Sequence, residues 1–155
     1  GVKAEADLGE VIPTDIWETE SGFLALCDGC AAAVDSDGSI TEKIDFGASK
    51  MSGYSKDGLG GVFAVLNKGD ITARYELLHI DSSARVTASE YLDSDVDSIS
   101  AANGLLAVLT GSGINVYDSG FNLKRLITPD GEVKKIIIIA DGTVVMVTSD
   151  EVLTA

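Results

Sequence analysis

A glycine followed by an alternating apolar run occurs four times in this chain at nearly equal spacing. The copies are Gly22-Phe-Leu-Ala-Leu-Cys27, Gly61-Val-Phe-Ala-Val-Leu66, Gly104-Leu-Leu-Ala-Val-Leu109 and Gly142-Thr-Val-Val-Met-Val147, with the glycines 39, 43 and 38 residues apart. A unit of about 40 residues cannot bury its own apolar face, so like units must stack on one another. Three of the units share a second run with a common ending, at Val34-Asp35-Ser36, Ile80-Asp81-Ser82 and Tyr117-Asp118-Ser119. A third run follows at residues 40–46, 86–92 and 123–127, and a short run precedes each glycine, at 15–19, 50–54, 96–101 and 133–140.

Each run reads as a strand. The runs span four to eight residues, are rich in Val, Ile and Leu, and keep no 3.6-residue period over a helix-sized window. Turn chemistry separates them at Asp28-Gly29, Asp37-Gly38, Lys68-Gly69, Ser112-Gly113 and Asp141-Gly142. Asp-Gly between apolar runs favours a hairpin, because both residues tolerate positive φ. Four short strands in about 40 residues is the period of one β-propeller blade.

The expected architecture is therefore an all-β propeller of about four blades, each of four antiparallel strands. The units run over residues 9–46, 47–92, 93–127 and 128–155, with residues 2–8 supplying the outer strand that the last unit lacks. Four blades stand at the low end of the propeller range. The alternative is a half-ring that pairs with a second copy to give eight blades, since an open array leaves strand edges and apolar faces bare.

In period and strand pattern, nearly the whole chain resembles the WD40-like and PQQ-like β-propellers. It departs from their signatures. The WD40 Gly-His and Trp-Asp dipeptides are missing, Tyr117-Asp118 being the nearest substitute, and Trp17 is the only tryptophan available for a quinoprotein docking motif. The chain is also similar to membrane-anchored propeller domains of bacteria. That likeness implies an extracytoplasmic location and names no activity; a cytoplasmic location is the alternative.

Charge bears on the partner. The 155 residues carry 11 Lys and Arg against 25 Asp and Glu, a net −14. Such a surface repels phosphate, which argues against nucleic acid as a partner. The longest apolar run, 136–140, is strand-sized, so no segment is expected to insert in a membrane. Gly1 has no Met before it, which leaves room for a natural leader or anchor upstream.

Candidate sites are few. Cys27-Asp-Gly-Cys30 flanks a two-residue turn, and reads as an inert pair, a small disulfide, or a redox or metal pair. A zinc site needs four ligands, and His79, the only histidine, lies far along the chain. His79 itself reads as a satisfied edge residue. The run Asp93-Ser-Asp95-Val-Asp97 opens like a calcium loop, but Ser98 and Gly104 stand where an EF-hand needs Gly and Glu. No Gly-x-Ser-x-Gly elbow occurs, and Thr110-Gly111-Ser112-Gly113 joins two strands, with no helix to bind phosphate. Lys134 and Lys135 read as gatekeepers beside an aggregation-prone strand. Trp17, Phe23, Phe63 and Tyr117 are expected in the core between blades.

In a propeller, the loops joining second to third strands and fourth to first strands share one face. Here these loops hold Asp28, Asp70, Asp95, Asp130, Asp150 and Glu151. The functional expectation is a non-enzymatic interaction or ligand-binding scaffold, without cofactor or metal, whose acidic loops favour a basic protein. The alternatives are a redox or metal-binding protein using Cys27 and Cys30, and a structural fragment of a larger propeller.

Overall fold

The computed structural model describes residues 5–69 and 74–155, and among these it contains strands and no α-helix. The first sheet holds β1 (Pro13–Thr19), β2 (Gly22–Cys27), β3 (Cys30–Val34) and β4 (Ile40–Asp45). The second holds β5 (Lys50–Lys56), β6 (Val62–Asn67), β7 (Tyr75–Ile80) and β8 (Val86–Leu92). The third holds β9 (Val96–Ala102), β10 (Leu105–Thr110), β11 (Gly113–Asp118) and β12 (Leu123–Ile127). The fourth holds β13 (Lys135–Ile138), β14 (Val144–Val147) and β15 (Val152–Thr154). Every sheet is an antiparallel meander in chain order. We refer to them as blades 1 to 4.

The alternating pattern of the second strand explains the stacking. Successive residues of a strand point to opposite faces. Leu24 and Leu26 of β2 face blade 2, where they meet Val62, Ala64 and Leu66 of β6. Phe63 and Val65 of β6 face blade 3 and meet Leu106 and Val108 of β10. Ala107 and Leu109 of β10 face blade 4 and meet Val144 and Met146 of β14. Three apolar clusters thus fill three joints. Polar groups reinforce them: Trp17 donates from Nε1 to the Gly60 carbonyl at 3.0 Å, and Ile138 N donates to Ser100 Oγ at 3.0 Å.

The repeat glycines serve two needs. Gly104 has φ +74°, in the left-handed region that a tight hairpin requires. At Gly61 the need is space, because a Cβ there would lie 2.5 Å from the Ile80 carbonyl oxygen.

Two expectations change. Phe23 is 41% exposed, whereas Trp17, Phe63 and Tyr117 pack between blades. Phe23 points away from blade 2, to the side on which the described residues form no other blade. His79 is buried rather than an edge residue, because β7 is the third of four strands and its ring stacks on Phe63. The outer strand assigned to residues 2–8 falls partly on residues 1–4, outside the described residues. Residues 5–8 carry no strand, and the Leu8 carbonyl accepts a hydrogen bond from Lys43 Nζ of blade 1 at 3.0 Å. Among the described residues β15 is the outermost strand of blade 4. Among the described residues no helix is long and apolar enough to cross a membrane.

Candidate functional site

The meander sends second-to-third turns and blade-to-blade connections to one end. Asp28 lies in the β2–β3 turn, Asp95 between β8 and β9, Asp130 between β12 and β13, and Asp150 and Glu151 between β14 and β15. Asp70 lies outside the described residues. The five described carboxylates share an end of the array, but each belongs to its own loop. Asp28 is committed to structure. It pairs with Lys50 at 2.9 Å and accepts the Ile12 N–H at 2.9 Å. The Ile12 N–H and then Lys50 hold its carboxyl below the usual range. Asp95 meets Arg74 at 3.4 Å. Asp130, Asp150 and Glu151 are exposed.

Acid also stands at the opposite end, with a different task. Asp35 accepts the N–H groups of Asp37 and Ser39, Asp81 those of Ser83 and Arg85, and Asp118 those of Gly120 and Asn122. One carboxylate oxygen organises each third-to-fourth turn in the same way. The recurring Asp-Ser ending of the second runs is this turn. Asp118 also pairs with Lys124 at 2.8 Å; this contact first, and the Asn122 N–H next, bring its carboxyl down to about 2.

Between the loop ends of blades 3 and 4 lies a cleft of about 600 Å3. It opens because the segment 128–134, carrying Pro129 and Gly131, leaves the end of β12 before reaching β13. Its polar lining comes from Asp97, Thr110, Ser112, Thr128, Glu132 and Lys134. Thr110 and Ser112 share a hydroxyl hydrogen bond at 3.0 Å, and Lys134 is paired with Glu132. Hydroxyls and carboxylates of this kind can bind a cationic group. The cleft lining includes no histidine or cysteine to serve as base or nucleophile.

Cys27 and Cys30 are buried and not bonded to each other. Burial first, and the neighbouring Cys30 second, push the Cys27 thiol up to about 11, which favours its protonated form at neutral pH. Among the described residues no group of three metal-ligating side chains occurs.

Sequence reasoning missed Asp57. It sits in the β5–β6 turn, buried, and accepts the N–H groups of Leu59 at 2.6 Å and Gly61 at 2.9 Å through Oδ1. Its Oδ2 meets His79 Nε2 at 3.0 Å, and His79 Nδ1 meets Thr87 Oγ1 at 2.6 Å. Burial pushes the Asp57 carboxyl up, but His79 and the two backbone donors outweigh it and hold it below the usual range. The available signal was the Asp57-Gly58 pair just before a repeat glycine.

No protein-family model matches the chain, and no curated protein matches it in sequence. Solved structures do match in fold. The computationally designed Ika4 protein aligns with TM-score 0.67 and 15% identity, over 100% of this chain and 97% of that one. The C-terminal WD40 domain of Sif2 aligns with TM-score 0.65 and 12% identity, over 96% of this chain and 46% of that one. BamB from Moraxella catarrhalis aligns with TM-score 0.58 and 18% identity, over 89% of this chain and 44% of that one. The chain has the β-propeller fold of the WD40 and BamB-like proteins. It spans about half the length of the Sif2 and BamB chains and nearly all of the designed one.

Proposed function

We propose that this propeller array is a non-enzymatic interaction scaffold that receives a basic protein segment at the loop end of blades 3 and 4. The observation that carries the reading is the cleft between those blades, lined by Asp97 and Glu132 and adjoined in sequence by exposed Asp130. Function on a rigid repeat scaffold resides in loops rather than in the packed sheets. A net charge of −14 raises the local concentration of cationic partners, and a concave cleft focuses that attraction. The buried, protonated Cys27 speaks against a redox role for the cysteine pair.

The test is binding of a fluorescent lysine-rich peptide, followed by anisotropy at low and moderate salt. The triple substitution Asp97→Asn, Asp130→Asn, Glu132→Gln is compared with a control at the opposite end, Glu20→Gln with Asp37→Asn. Three exposed charges at about 0.5 kcal/mol each give roughly a tenfold loss of affinity. Wild type and control should bind alike and weaken with salt. Equal binding by the triple variant contradicts the proposal.

A further inference from the structure

Among the described residues, the two terminal blades each present an outer face with bare apolar side chains, although the segment around Leu8 already borders that of blade 1. On blade 1 this is the side opposite Trp17 and Leu24. There Ile16 is 61% exposed and Phe23 follows it on the neighbouring strand. A hollow of about 410 Å3 opens on this side, lined in part by Leu8, Pro13, Ile16 and Ala25. On blade 4 it is the side opposite Ile136 and Met146. Ile137 is 46% exposed there, with Ile139, Val145, Val147 and Val152 on the same side. Apolar sheet faces of this kind mark interaction surfaces.

We infer that two copies of this chain close one eight-bladed ring, blade 4 of each packing its outer face onto the outer face of blade 1 of the other.

Four observations select a second copy as the occupant. First, the three joints inside the chain follow one rule. The residues of the second strand that face forward in one blade meet those that face backward in the next, as Leu24 and Leu26 meet Val62 and Ala64. Second, among the described residues one face of each kind keeps bare apolar side chains: Val145, Val147 and Ile137 facing forward, Phe23 and Ile16 facing backward. One chain therefore carries both halves of a fourth joint. The exposure of Ile16 and Ile137 means that it does not make this joint with itself. Third, a two-fold axis through the ring centre brings the two kinds of face together twice and leaves neither over, so a head-to-tail contact closes. Eight blades lie within the propeller range. Fourth, this chain covers 46% of the Sif2 WD40 chain and 44% of the BamB chain, so two copies supply about the length of one such ring. The designed protein, covered over 97% of its length, is a whole chain of this same size.

The experiment is light scattering coupled to size exclusion over a wide range of protein concentration. The expected mass is twice the 16.1 kDa of one chain. A mass of one chain throughout, or an open-ended series of larger masses, overturns the inference. Ile16→Asp and Ile137→Asp each place a charge on one unmated face and should each halve the mass. Both residues are exposed within one chain, so the fold should survive; Phe23→Asp and Val152→Asp repeat the test at independent positions. A control at an exposed residue of an outer strand, Leu123→Asp, should stay at the double mass. Mixing Ile16→Asp with Ile137→Asp should restore part of the dimer, because one wild-type joint forms between the two variants. If either variant remains dimeric alone, the head-to-tail pairing is wrong. The readout is independent of peptide binding at the acidic loops, so the two proposals fail separately.

Discussion

Asp57 Oδ2 lies 3.0 Å from His79 Nε2 at a point where three blades meet. The turn that Asp57 begins also offers the Gly60 carbonyl to Trp17 of blade 1 and the Asp57 carbonyl to Gly104 N of blade 3, at 2.9 Å. One buried carboxylate thus fixes a loop that ties blades 1, 2 and 3 together. Removing it strands two backbone donors and a buried imidazole. Asp57→Ala should lower unfolding free energy by about 2–4 kcal/mol, read as a fall in the urea midpoint. Asp57→Asn keeps an acceptor for Leu59 and Gly61 and should cost about half as much. An Ala variant as stable as wild type would show that the network contributes little.

Acid should destabilise the fold over a defined range. Asp118 is held at about 2, and the carboxyls of Asp15, Asp28, Asp57 and Asp141 are also held below the usual value. These folded-state values lie below the unfolded value of about 3.9, so the stabilisation is fully present above that pH. It is lost as pH falls from about 4 toward about 2, where the folded form must take up protons too. Urea midpoints should hold steady down to about pH 5 and then drop. Asp118→Asn should flatten part of the drop. A midpoint independent of pH across this range contradicts the assignment.

Thiol labelling should be slow in the native protein. Cys27 is buried with its thiol pushed up to about 11, and Cys30 is also buried. At about pH 8 an aromatic disulfide reagent should react fully in denaturant and only slowly without it. Rapid native labelling of either cysteine would contradict the burial.

The strand framework was legible because its signals are local. Gly22 opens a second strand, Gly61 and Gly104 stand directly before one and Gly142 two residues before one, and the Asp-Ser endings mark the turns after the third strands. The loops holding Asp28, Asp95, Asp130, Asp150 and Glu151 could be assigned to one end, since an antiparallel meander leaves no other choice. Two things were not legible. The pairing of Asp57 with His79 joins positions 22 residues apart through strand register. The exposure of Phe23 depends on whether a blade precedes the first, which alternation along β2 does not encode. The acidic content also misleads in part, because Asp35, Asp81 and Asp118 organise turns at the far end from the proposed binding loops.

Spatial crowding makes Gly61 irreplaceable in a way its φ does not. A Cβ there would meet the Ile80 carbonyl oxygen at 2.5 Å and Asp57 Oδ2 at 2.7 Å. Gly61→Ala should cost more than about 2 kcal/mol in chemical denaturation. Gly131, in the cleft loop, has nothing within 4 Å of a Cβ, and Gly131→Ala should stay within about 0.5 kcal/mol of wild type. Equal effects at the two positions would contradict the packing described.

Stacking of successive blades is read most directly by nuclear Overhauser contacts between them. The indole N–H of Trp17 in blade 1 should show contacts to Gly60 beside blade 2, and the amide of Ile138 in blade 4 should show contacts to Ser100 in blade 3. Finding both supports four sheets stacked in chain order. A well-dispersed spectrum without them, or with the edge strands of successive sheets hydrogen-bonded into one continuous sheet, contradicts it.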